Sequence, residues 1–103
     1  MANIFNDLPP LLPNELFQSL FSNTRVRIER ILSKGHCTPA GDWYDQPHTE
    51  WILLLQGEAI LEFTERPPQH LRTGDYLCLP PHLKHRVRWT PSQQVTIWLA
   101  IHC

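Results

Sequence analysis

The sequence predicts an all-β chain, a sandwich or barrel of short strands entered through a short N-terminal helix. Three observations carry this. From Arg25 onwards apolar and polar residues alternate in short runs, the period of a half-buried strand. Turn signals punctuate the runs: Ser33-Lys34-Gly35, Gly41-Asp42, Gly57, Gly74-Asp75 and Pro91-Ser92. No second helical pattern appears after residue 23, and ten prolines against four glycines suit rigid turns between strands.

Residues 1–23 read as a clasp separate from the barrel of residues 24–103. Pro9, Pro10 and Pro13 block early regular structure. Asn14 then caps a short helix in which Leu16, Phe17, Leu20 and Phe21 share one face, and Asn23 ends it. The next run places Val26 and Ile28 on one side of a strand, with Arg25, Arg27 and Glu29 on the other. A strand over Trp43–Gln46 leads to Pro47, which cannot donate to a ladder and marks a bend or an edge.

Trp51–Leu55 is a continuous apolar run closed by Gly57. Ala59, Leu61 and Phe63 share a face of the following strand, and two short strands flank Gly74. In Lys84–Thr90 the residues His85, Val87 and Trp89 face inward, while Lys84, Arg86 and Arg88 face solvent. The final strand alternates from Val95 to Cys103, although Trp98 and Ala100 make its other face apolar too.

One domain is what 103 residues can build. A formal charge of −1 gives no footprint for nucleic acid, and no apolar stretch is long enough for a bilayer. Without a signal-peptide pattern the expected location is cytoplasmic. Cys37, Cys78 and Cys103 make no Cys-x-x-Cys pair and read as reduced thiols, with Cys78 buried in its apolar run. Trp51, Leu53 and Leu55, joined by Trp98 and Ala100, form an outward apolar patch, so a homodimer is expected. No nucleophile and base pair, phosphate loop or dinucleotide fingerprint is legible.

The chemistry gathers ahead of Trp51. Tyr44, Gln46, His48 and Glu50 have the same parity and point into the barrel if Pro47 leaves the register intact. A carboxylate at the start of a buried strand is costly unless something satisfies its charge. Imidazole, carboxylate and amide oxygen together suit a divalent ion such as Mn, Fe, Ni or Zn. An ion pair from Glu50 to Arg86 or Arg88 is disfavoured because those arginines face away. Gln46 has two readings, a ligand or a hydrogen-bond donor that orients Glu50. His48, beside the bend, is solvated or a further ligand. Tyr44, Val87 and Trp89 read as pocket wall.

Two stretches resemble the motifs of the cupin superfamily. Glu50, six residues and Gly57 fit the end of the first motif. Gly74, five residues, Pro80 and then His85 fit the second. The first motif's two histidines fall on Tyr44 and Gln46, the second motif's glycine is His82 and its asparagine is Trp89. The resemblance covers roughly residues 24–103 and is closest to small single-domain bacterial cupins. It implies a single cupin β-barrel, or jelly roll, in which His85 meets Glu50 across the interior. It also implies a divalent metal on Gln46, Glu50 and His85, with His48 and His82 as further candidates and a small organic ligand beside it. Such a centre supports oxygenase, isomerase or lyase chemistry, with Tyr44 as a candidate proton donor. A non-catalytic binder or sensor, or a structural dimer-forming domain, fits the same motifs.

Overall fold

Apolar residues at alternate positions need a second apolar layer to cover them, and the chain supplies it by folding two sheets face to face. The computed structural model describes residues 1–103. Eight strands follow in order: β1 (Leu16–Ser22), β2 (Arg27–Ser33), β3 (Glu50–Gln56), β4 (Glu58–Phe63), β5 (Gln69–Arg72), β6 (Tyr76–Leu79), β7 (His85–Trp89) and β8 (Thr96–His102). One sheet has the order β1-β2-β8-β3-β6 and the other β5-β4-β7. Every pairing is antiparallel. Ile31, Ile52, Leu54, Leu79, Trp98 and Ala100 from the larger sheet meet Ala59, Leu61, Phe63 and Leu71 from the smaller. Each large side chain so buried contributes roughly 1.5–3 kcal/mol.

The expected helix is absent, and Leu16–Ser22 is strand β1. Its spacing of Leu16, Phe17, Leu20 and Phe21 suits a helix face, but β2 offers a full backbone ladder, and long-range pairing overrides a weak local preference. Asn23 is the hairpin turn: its Oδ1 accepts from the Arg25 and Val26 amides at 2.8 Å. The segment before β1 is irregular and lies against Arg30, whose Nη1 donates to the Ile4 and Asn6 carbonyls at 2.9 and 2.6 Å.

Other departures follow from register. Trp43–Gln46 forms no strand; a single bridge joins Tyr44 to His85. In β8 Trp98 and Ala100 point into the core at 4% and 0% exposure, so they add nothing to an outer patch. That strand is apolar on both faces, and period two alone cannot say which face is inside. In β2 it is Arg27, Glu29 and Ile31 whose side the barrel encloses. Cys78 is exposed, because Leu77 and Leu79 take the inward positions of β6. A bulge in the β4–β7 ladder pairs Ile60 with Trp89 and Leu61 with Val87, which turns Trp89 outward against His70.

Candidate functional site

Three elements converge on one end of the barrel. β3 begins at Glu50, β7 begins at His85, and the segment before Pro47 carries Tyr44 and Gln46 alongside them. Between them lies a cavity of about 240 Å³. Ile31, Ile52, Leu61, Leu79, Val87 and Trp98 make its apolar wall; Glu50, His85, Tyr44 and Gln46 make its polar end. Glu15, Phe17, Arg27, Glu29 and His102 complete the lining.

Glu50 is the most constrained group. Only 7% of it is exposed, and burial pushes its carboxyl up to about 7. The neighbouring Glu29 carboxylate adds to that rise, while the Gln46 amide and the Arg27 guanidinium oppose it. Its oxygens lie 3.7 Å from His85 Nε2 and 3.9 Å from His102 Nε2. Arg86 and Arg88 reach Glu62 instead, at 3.1 and 3.9 Å, so no arginine neutralises Glu50 from β7.

His85 Nδ1 lies 2.8 Å from the Leu83 carbonyl, which can only accept, so Nδ1 carries the proton and Nε2 presents a lone pair towards Glu50. Burial lowers the His85 pKa and keeps the ring neutral against that hydrogen bond. Tyr44 stacks on this ring with centroids 5.5 Å apart and an interplanar angle of 25°. Burial, then Glu15, Glu50, Glu29 and Asp42, raise the Tyr44 pKa, so the phenol keeps its proton.

The histidines beyond the motifs divide. His82 sits at φ +63°, exposed, with Nδ1 2.8 Å from Asp45 Oδ1; it holds a turn and does not reach the cavity. His48 lies behind the wall, its Nε2 2.9 Å from His102 Nδ1. Pro47 breaks the period-two register that would have turned it inward. His102, buried in β8, lies 2.8 Å from Glu29 Oε1 through Nε2. In a neutral ring that makes Nε2 the donor to Glu29 and Nδ1 the acceptor from His48. Burial lowers the His102 pKa, and its bond to Glu29 opposes this.

Glu29 and His102 were not legible as site residues. Glu29 shares the Arg25 and Arg27 side of its run, opposite the apolar Val26 and Ile28, and His102 ends a strand whose two faces are both apolar. The one available signal was parity with Ile31 and Trp98, which is readable only once the core is known.

The donor types suit a divalent ion, and the geometry suits it in part. Two ligands on one ion at bonds near 2.1 Å sit roughly 3.0–3.4 Å apart. Glu50 and His85, at 3.7 Å, are within a few tenths of that. No third His, Cys, Asp or Glu side chain completes a cluster with them. The Gln46 amide also lines the cavity and could offer an oxygen donor.

A two-sheet barrel with an apolar interior and a polar end at the start of two strands defines the class of small antiparallel β-barrels. The family description "Cupin domain" matches residues 32–102, and the chain belongs to that family. Its structure is similar to that of a "putative mannose-6-phosphate isomerase" from Ralstonia eutropha, with 42% identity and a TM-score of 0.95. That likeness covers 100% of this chain and 96% of the other. A cupin superfamily protein from Desulfitobacterium hafniense shares the fold alone, at 22% identity and a TM-score of 0.75, over 92% and 82% of the two chains. The chain is also 36% identical over 47 residues to a 3-hydroxyanthranilate 3,4-dioxygenase of Shewanella woodyi. That stretch is 43% of this chain and a quarter, 25%, of the dioxygenase. No helix is long and apolar enough to cross a membrane.

Proposed function

We propose that this cupin binds a small organic molecule in its barrel cavity beside a divalent transition ion. Glu50 and His85 would hold the ion, with the Gln46 amide as third donor. The observation that carries this is the burial of a carboxyl and a neutral imidazole facing one another, with no arginine or lysine in ion-pair contact with either; Arg27, also on the cavity, lies beside Glu29. Once bound, such an ion supplies a Lewis acid or an oxygen-binding centre with open positions. The ligand is small, because about 240 Å³ lies below the usual range for drug-sized pockets. The apolar wall takes its hydrocarbon part, and Tyr44, protonated and partly exposed at the mouth, donates a hydrogen bond to its polar end. A cytoplasmic, homodimeric protein is the setting we assign to it.

Enzyme and sensor use the same cavity, and Tyr44 separates them. The hydroxyl is worth about 0.5–1.5 kcal/mol as a hydrogen bond, so Tyr44→Phe should weaken ligand binding by up to about tenfold. It should leave metal content unchanged. A metabolite panel screened by thermal shift on metal-loaded protein, then by mass spectrometry for conversion, tests the reading. An enzyme consumes a stabilising compound and loses turnover in Tyr44→Phe. Compounds recovered unchanged define a binder, and a panel that never shifts the melting temperature defeats the proposal. The second reading, a metal-free binder, is favoured by one observation: no third acidic or imidazole side chain forms a metal-holding group with Glu50 and His85, and His102, 3.9 Å from Glu50, is committed to Glu29.

A further inference from the structure

Strand β2 sets Arg27, Glu29 and Ile31 in succession on the cavity wall, because alternate residues of a strand share a face. Register fixes their neighbours. Arg27 lies opposite His102, and Glu29 lies opposite Ala100, a fully buried residue too small to crowd it. His102, itself buried, donates through Nε2 to Glu29 Oε1 at 2.8 Å and so holds the carboxylate in place. The other oxygen, Oε2, has Arg27 Nε beside it at 3.9 Å, which is beyond a hydrogen bond. An ion pair that long, with Arg27 half exposed, adds little to stability. Both heads therefore keep hydrogen-bonding capacity turned towards the cavity. Arg27 is also the one arginine or lysine on that wall.

We propose that Arg27 and Glu29 form a recognition pair for a small zwitterion, with an ammonium and a carboxylate on one carbon as in an apolar amino acid. This rests on the reading that the cavity holds a small organic ligand, and it names the class of that ligand. The guanidinium takes the ligand's carboxylate in a charge-assisted pair, and Glu29 Oε2 accepts from its ammonium. A charge removed from water is costly unless it is paired, and each charge of a zwitterion meets its opposite here. Singly charged ligands fare worse. An anion brought to Arg27 also meets Glu29 and Glu15, which stands on the same cavity with its Oε2 accepting from Ser33 Oγ at 2.6 Å. An amine brought to Glu29 also meets Arg27. The ligand's hydrocarbon part then turns to Ile31, Leu61 and Val87 on the apolar wall.

A matched set of probes tests this by calorimetry on the full chain. L-valine, L-leucine, L-methionine and L-phenylalanine are each compared with the amine that lacks the carboxylate and the acid that lacks the ammonium. At least one amino acid should bind about tenfold or more tighter than both of its analogues. Arg27→Gln should weaken that amino acid by about ten- to a hundredfold without weakening its amine. Glu29→Gln, which keeps an acceptor for His102, should weaken the amino acid by a similar factor without weakening its acid. A variant that is merely misfolded would lose all three probes together. Chelation of a bound ion by the amino and carboxylate groups would be blind to both substitutions. Either pattern would overturn the inference, as would a set in which no amino acid binds or an analogue binds as tightly as its parent. If uncharged or singly charged compounds of the metabolite panel still bind, this inference falls alone; if nothing in that panel binds, the proposed function falls with it.

Discussion

Replacing Glu50 with Gln should stabilise the metal-free protein at about pH 8 and change it little at about pH 5. Burial, with Glu29 adding to it, raises the Glu50 carboxyl from an ordinary 4.5 to about 7. The folded state therefore binds this proton more tightly than the unfolded chain does. The stability it contributes is complete below the unfolded value and is lost as pH rises through the folded one. A rise of that size corresponds to about 3 kcal/mol. For a chain of this length the variant should then melt roughly 10–20 °C higher at the alkaline pH. His85 and His102 work the other way: burial lowers both, so their contribution is lost as pH falls below the ordinary imidazole range. The variant keeps that acid-side loss and loses the alkaline one. Equal shifts at both pH values would show that Glu50 is not a desolvated acid.

Gly57→Ala should be among the most damaging single-methyl changes in the chain. Gly57 sits at φ +98°, where an L side chain is strained by about 1–2 kcal/mol. A Cβ there would stand 2.6 Å from Thr96 Oγ1 and 2.9 Å from Thr96 Cα. Thr96 is fully buried, so relief has to come from the backbone, at about 1–3 kcal/mol more. Gly41, at φ +89° with nothing within 4 Å, isolates the backbone part. Urea denaturation should give Gly57→Ala a loss of about 3 kcal/mol or more and Gly41→Ala about a third of that. Equal losses would mean that the β3–β4 turn relaxes freely away from β8.

The barrel was legible because alternation and glycine turns are local signals. Ala59, Leu61 and Phe63 are buried as their period requires, and the motif that ends at Gly57 does close β3 against β4. Glu50 and His85 were legible for a different reason: a charged or titratable group on an inward position has to be answered by something. What the sequence hid was set by long-range pairing. Leu16–Ser22 has apolar residues at helical spacing, and only its pairing with β2 makes it a strand. Trp98 and Ala100 on one face of β8, Ile97 and Leu99 on the other, leave its parity open, and with it the place of His102. The β7 bulge that turns Trp89 outward adds one residue to a ladder and leaves no local mark. Glu29 was lost the same way, on a strand whose outer residues are as apolar as its inner ones.

The central claim is that Glu50 and His85 hold a divalent ion at the polar end of the cavity. Isothermal titration of metal-stripped protein with Mn, Fe(II), Ni and Zn, repeated in two buffers of different ionisation enthalpy, tests it directly. One ion per chain should bind near neutral pH, with up to one proton released as Glu50 ionises, and His85→Ala and Glu50→Gln should each abolish uptake. Titrations without heat for every ion, or uptake that survives both substitutions, would contradict it.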